Sequence, residues 1–255
     1  MMLKIALVQS APQWEDVAAN LRQTERWIDN TDASLVVFPE MFTTGFTMNA
    51  AAVAQNMGGG LLDTLRTFAA RYDKALMGSV VVADDGRYLN RMLFVRPDGR
   101  VQWYDKRHLF RMGGENGIYT PGQERVVWEW QGVRILPLVC YDLRFPVWAR
   151  NCGDYDMIVV CASWPAPRAA VWRTLLRARA IENLCYVAGV NRTGSDPNTR
   201  YNGDTALVDF LGNADPEADG QAEQTVAGLV DLEALHDFRE KFPAHLDADG
   251  FSIVK

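Results

Sequence analysis

Short apolar runs alternate with amphipathic stretches along most of the chain, and each run has the length of a strand. The first, "LKIALVQ" from Leu3, is a near-continuous apolar segment suited to a buried strand. "WEDVAANLRQTERWID" then places Val17, Leu21, Thr24 and Ile28 at helical spacing, with acidic residues in the first turn. "SLVVFPE" (34–40) predicts the next strand, stopped by Pro39, and a second helix over 61–72 carries Leu62, Leu65, Phe68, Ala69 and Tyr72 on one side. "KALMGSVVVA", "RYLNRMLFVRP" and "RVQWYD" read as strands divided by "DDG" and "PDG", both hairpin-type turn signals.

A loop from Lys106 to Gly122 follows, then "RVVWEW" and "VRILPLVC" around the turn Gln131-Gly132. Past Cys140 the chain turns polar, and Pro146 predicts the start of a short helix. "DMIVVCAS" (156–163) is a strand, "AVWRTLLRARAIEN" a helix to Asn183, and "CYVAGVN", "TALVDF" and "QTVAGLVDL" are further strands. A last helix near 233–241 leads into a tail, 242–255. No low-complexity linker interrupts this order, so residues 1–255 are expected to form one domain. The unit strand–helix–strand occurs twice, in "KIALVQ … SLVVFPE" and "RILPLVCYD … DMIVVCAS". That loose parallel predicts an α/β fold of two related halves, with Glu40 and Cys140 both at carboxyl ends of strands. Crevices at such ends are where open α/β sheets place their ligands.

Composition narrows the chemistry. At 255 residues, 48% apolar and 23% charged, the chain can bury a large core. A net charge of −6 favours neither a nucleic-acid backbone nor an anionic membrane surface. The apolar runs are too short to span a bilayer. The start "MMLKIALVQS" enters a strand pattern directly, without the parts of a secretory signal, so a cytoplasmic protein is expected. Cys140, Cys152, Cys161 and Cys185 show no CxxC pairing and are expected to be reduced thiols. His108, His236 and His245 form no HExxH or HxH pattern, and "MGGGLL" (57–62) lacks the features of a phosphate loop. No metal and no cofactor are expected, and no nucleic-acid or membrane partner.

Cys140 is the residue whose reading matters most. Most cysteines after an apolar run are core filler, and a thiol at its ordinary pKa needs a base or cation to become a nucleophile. His108 is one candidate base, which would make the protein a thiol peptidase or acyltransferase. Glu40 and Lys106, each ending its own strand, are the other candidates. Taken singly, each of the three strand-end residues has a plain structural reading as a turn, surface or core residue. Their joint placement shifts that balance.

Three segments decide between these readings. "LVVFPEMFTTGF", "YDKRHLF" and "LPLVCYDLRFPVWARN" resemble, in order and separation, the signature segments of the nitrilase superfamily of carbon–nitrogen hydrolases. "WRTLLRARAIEN" (172–183) is a further match, and "WPAPR" with "FREKFPAHLDAD" resembles the omega-amidase branch. The resemblance implies a four-layer αββα sandwich, paired through its outer helices into a homodimer. It implies a catalytic triad of Glu40, Lys106 and Cys140, with Glu115 orienting the lysine and substrate. It further implies a small-molecule amide as substrate, a short dicarboxylate monoamide such as 2-oxoglutaramate, cleaved through a cysteine thioester.

The Tyr141 backbone N–H is the expected oxyanion donor. Arg168 is the candidate grip on the distal carboxylate, with Phe46 and Trp164 as apolar walls. Arg144 could line the site, though a structural ion pair with Asp142 is the favoured reading, and Arg177, Arg179 and Glu182 are expected to be structural ion-pair partners. Val147 departs from the family pattern, which often has an acid there. A nitrilase or N-carbamoyl amidohydrolase remains open within the superfamily. Outside it, a thiol redox sensor using Cys152 or Cys161, or a binding protein, remains open.

Overall fold

The structure, a computed structural model, describes residues 2–253. Two six-stranded mixed sheets carry the chain. In the first, β1 (Met2–Gln9), β2 (Leu35–Val37) and β3 (Ala75–Asp84) run parallel, and β4 (Arg87–Val95) and β5 (Val101–Asp105) continue antiparallel. In the second, β6 (Trp128–Trp130) precedes three parallel strands, β7 (Val133–Val139), β8 (Met157–Ala162) and β9 (Tyr186–Asn191). A small two-stranded ribbon follows, β10 (Thr193–Ser195) with β11 (Arg200–Asn202). β12 (Ala206–Val208) and β13 (Ala214–Glu217) then complete the second sheet beside β9. β14 (Gln224–Asp231) returns to pair antiparallel with β1.

The sheet orders β14-β1-β2-β3-β4-β5 and β6-β7-β8-β9-β12-β13 therefore repeat one pattern of strand directions. This is the pair of related halves expected from the repeated strand–helix–strand unit. β1 matches β7 and β2 matches β8.

The apolar alternation explains the layering. On β1, Leu3, Ile5 and Leu7 join the core shared with the second sheet, whereas Ala6 and Val8 face the other way with Val36 and Phe38. That outer face is covered by α1 (Val17–Asp29) and α3 (Gly60–Tyr72), through Ile28, Leu62, Leu65 and Phe68. Strands of the second sheet are apolar on both faces, because α4 (Pro146–Ala149) and α5 (Ala169–Asn183) cover the side away from the first sheet. The result is the four-layer αββα sandwich. Gly189 on β9 lets α5 approach closely, since a Cβ there would lie 2.5 Å from a Leu176 methyl. α6 (Leu232–Lys241) docks Leu232 and Leu235 into the shared core, and Arg239 donates to Asp156 at 2.8 Å.

Several boundaries differ from expectation. The strand expected over 34–40 ends at Val37, because Phe38 and Pro39 carry the chain out of the ladder. Asp16, expected inside the first helical turn, caps it instead, accepting from the Ala19 N–H at 2.9 Å. A short helix α2 (Ala50–Val53), the ribbon and the edge strand β13 were not anticipated. Ile253, in the tail, packs back onto the chain's own core, while Val254 and Lys255 lie outside the described residues. No helix among the described residues is long and apolar enough to cross a membrane.

Candidate active site

Glu40 follows the end of β2, Lys106 follows β5 and Cys140 follows β7. Two antiparallel reversals, β3 to β4 to β5, bring the end of β5 back to the same edge of the sheet as the end of β2. Cys140 opens a tight 3-10 turn, Cys140–Arg144, with φ of 45°, a left-handed conformation unusual for any residue but glycine. The strain has a local restraint: Asp142 accepts the Val139 N–H at 3.0 Å. It also accepts the Tyr104 hydroxyl at 2.8 Å and both the N–H and Nδ1 of His108 at 2.8 Å.

The structure brings Glu40, Lys106, Glu115 and Cys140 together. Lys106 Nζ lies 2.8 Å from Glu40 Oε1 and 2.8 Å from Glu115 Oε2, and all three side chains are fully buried. Two carboxylates facing one ammonium would be an unbalanced buried charge without further donors. Those donors are Asn90 Nδ2, 2.8 Å from Glu40 and 3.0 Å from Glu115, the Ser163 N–H at 2.9 Å from Glu40 Oε2, and the Phe110 N–H at 2.6 Å from Glu115 Oε2.

Burial alone would strip the proton from Lys106, but Glu115 and then Glu40 outweigh it and hold the ammonium well above the lysine range. Burial pushes the Glu115 carboxyl up, against Lys106 and with help from Glu40. Burial first and Glu40 second push the Cys140 thiol well above its ordinary range, against the pull of Lys106. Lys106 offsets part of the effect of Glu40, while desolvation adds to the carboxylate.

A small cavity opens onto Cys140 and Lys106. Phe46 and Trp164 line it as expected, and Phe46 lies with its ring 5.4 Å from Lys106 Nζ. Tyr141 also lines it, its ring edge-on to Phe110 and Phe145. Arg168 lines it from a half-buried position, over the Phe110 ring and 3.4 Å from Met112 Sδ. Arg144 was expected to pair with Asp142. It instead stacks over Trp164 at 5.0 Å and faces the cavity, because Asp142 is already occupied by Tyr104, His108 and Val139.

His108 does not serve as partner to the thiol. Its ring stacks on Phe145 at 3.7 Å and its Nδ1 is held by Asp142, whereas Glu40 and the Ser163 N–H face Cys140. Arg179 pairs with Glu182 at 2.9 Å and Arg177 reaches Glu217 at 3.9 Å, the structural roles expected. Val147 is exposed on α4. Cys161 and Cys185 are buried and Cys152 is exposed, all unpaired. No group of three or more His, Cys, Asp or Glu among the described residues is placed to hold a metal.

Sequence reasoning missed Asn90, Ser163 and the brace at Asp142. For Asn90 there was a signal: a polar residue interrupts the strand "RYLNRMLFV", and a buried polar group needs partners.

A sandwich of two paired sheets, with a thiol, a lysine and two glutamates gathered at strand ends, defines a recognisable class of hydrolase fold. The carbon-nitrogen hydrolase profile matches residues 4–240, and the chain belongs to that family. Among its relatives is the omega-amidase YafV of Yersinia enterocolitica, 49% identical over 255 residues, 99% of each chain. The 2-oxoglutaramate amidase of Bacillus subtilis is 33% identical over 89% of this chain and 90% of its own. A CN-hydrolase superfamily protein of Xanthomonas campestris, solved with an arsenic adduct in its active site, superposes with a TM-score of 0.97 at 45% identity, covering all of both chains.

Proposed function

We propose that this protein is an omega-amidase that hydrolyses short dicarboxylate monoamides such as 2-oxoglutaramate to the acid and ammonia. One observation carries the reading: the Cys140 thiol sits beside a buried Glu40–Lys106–Glu115 cluster, in a small cavity that also presents two arginines. The names of the relatives above support the same substrate class.

In this reading Glu40 takes the Cys140 proton as sulfur bonds to the amide carbon, and the carbonyl electron pair moves onto oxygen. The Lys106 ammonium and the Tyr141 N–H meet that oxyanion. As it collapses, the C–N bond breaks and Glu40 returns its proton to the departing nitrogen, releasing ammonia. Glu40 then takes a proton from water, whose oxygen attacks the thioester. Collapse expels the thiolate, which recovers its proton from Glu40. Glu115 holds Lys106 in place throughout. Phe46 and Trp164 exclude water, and Arg144 and Arg168 meet the distal carboxylate, the bidentate contact to which guanidinium groups are suited.

The test is ammonia release from a panel of omega-amides, neutral amides, nitriles and N-carbamoyl compounds. Omega-amides should be the best substrates, and Cys140→Ala, Cys140→Ser and Lys106→Ala should each lose at least ~10³-fold while folding normally. Substantial release in all three variants, or a preference for nitriles or carbamoyl compounds, rejects the reading. We infer that the working form is a homodimer paired through α4 and α5, where Val147, Val171 and Ile181 are exposed. A monomeric mass by light scattering contradicts it. A cytoplasmic site of action fits a mechanism that needs a reduced thiol, and fractionation of cells tests it.

A further inference from the structure

Asn90 lies in the middle of β4, buried, and touches the cluster at three points. Its carbonyl accepts the Lys106 N–H at 3.0 Å, fixing the main chain from which the lysine projects. Its single Nδ2 group donates to Glu40 Oε1 at 2.8 Å and to Glu115 Oε1 at 3.0 Å, so one amide bridges the same two carboxylates as Lys106 Nζ. Its Oδ1 has no partner among the described residues. The reversed amide would place Oδ1 against two carboxylates, so charge dictates this orientation even though it leaves a buried acceptor bare.

The consequence concerns which oxygen of Glu40 reacts. Oε1 accepts from both Lys106 and Asn90. Oε2 accepts the Ser163 N–H, at 2.9 Å, and that N–H also faces the Cys140 sulfur. The geometry points to Asn90 as a positioning residue that pins Oε1 of Glu40, leaving Oε2 to take the thiol proton. In that step the S–H bond breaks, the proton bonds to Oε2, and the sulfur pair bonds to the amide carbon. This inference rests on the amidase reading of the site and adds the residue that orients its base.

The titratable groups facing the two carboxylates are Lys106, Cys140, Cys161, Tyr119 and Tyr201. Burial holds both thiols and both phenols above their ordinary ranges, and the two carboxylates hold the lysine up, so none of the five titrates on the acid side of neutrality. An acid limb in activity is therefore the readout of the buried cluster, in which burial raises the Glu115 carboxyl. Hydrogen bonds to an ionised carboxylate lower its pKa, and removing them raises it.

The experiment measures kcat and KM against pH for wild type, Asn90→Leu, Asn90→Ser and Cys140→Ala on an omega-amide. Asn90→Leu keeps the side-chain size without the donor. It should move the acid limb of kcat/KM up by about one pH unit and lower kcat roughly 10- to 100-fold, with KM within about threefold. Asn90→Ser keeps one donor and should move the limb about half as far; it carries the test if the leucine variant does not fold. A folded variant with an unmoved acid limb overturns the inference, whether kcat is unchanged or simply reduced. Activity that survives Cys140→Ala rejects the amidase reading itself. A dead Cys140→Ala beside unmoved Asn90 profiles rejects only the role of Asn90.

Discussion

Asp142 accepts both the backbone N–H and the Nδ1 of His108, at 2.8 Å each. His108 lies two residues past Lys106, and Asp142 two residues past Cys140. One buried carboxylate thus ties the strand end that carries the lysine to the elbow that carries the thiol. Tyr104, at the end of β5, adds its hydroxyl to the same carboxylate and accepts the Trp148 indole N–H at 3.0 Å.

Asp142→Asn keeps the shape of this brace but turns one of its two acceptor oxygens into a donor group facing donors. Its cost should be about 1–3 kcal/mol, or roughly 2–4 °C in melting temperature for each kcal/mol. kcat should fall while KM holds, because the elbow moves rather than the pocket. Calorimetry and steady-state kinetics check this, and an unchanged melting temperature with full kcat contradicts the brace.

Arg144 and Arg168 are the two guanidinium groups facing the cavity. Replacing either with methionine should raise KM for a dicarboxylate monoamide about 10- to 100-fold, the worth of a charge-assisted hydrogen bond. Neutral amides of the same length should be almost unaffected. If both variants keep wild-type discrimination between the two substrate types, the carboxylate is held elsewhere.

Three buried thiols, Cys140, Cys161 and Cys185, are held above their ordinary range, in each case chiefly by burial. Between the unfolded thiol pKa, about 8.5, and pH 10, the unfolded chain releases these protons and the native chain keeps them. The unfolded state then binds fewer protons, so stability falls as pH rises through that window, approaching ~1.4 kcal/mol per pH unit for each thiol. Urea titrations from pH 7.5 to 10 should show this slope, shallower in Cys140→Ala by one thiol. An equal slope in the two proteins means that the Cys140 thiol is not held up.

Gly189→Ala should push α5 off β9, because the added methyl meets Leu176 and Trp172 at 2.5 and 3.0 Å. Overpacking of this kind costs about 1–3 kcal/mol, readable as a lower urea midpoint. Wild-type stability would show that α5 has slack at this contact.

Much of this arrangement was legible in the sequence for a physical reason. Glu40, Lys106 and Cys140 each stand where an apolar run gives way to polar chain, so the end of each strand marks the residue. Glu115 had no such mark and entered only through the resemblance to known hydrolases. Asn90 was visible as a polar break in β4, but its partners lie 50 and 25 residues away, and no periodicity encodes that. Arg144 was misassigned because a near neighbour of opposite charge looked sufficient. Residues two apart on a helical turn do not face one another, and Asp142 was already taken. β13 escaped notice because Ala214–Glu217 alternates half-buried and exposed positions at a sheet edge, with no apolar run to reveal it.

The central claim is that Cys140 carries the acyl group between release of ammonia and attack of water. Rapid acid quench of wild type during turnover of an omega-amide, followed by peptide mass spectrometry, tests it most directly. The account predicts an added mass equal to the amide minus ammonia, on the peptide containing Cys140. Ammonia release with no adduct there, or with the acyl group on another residue, would contradict it.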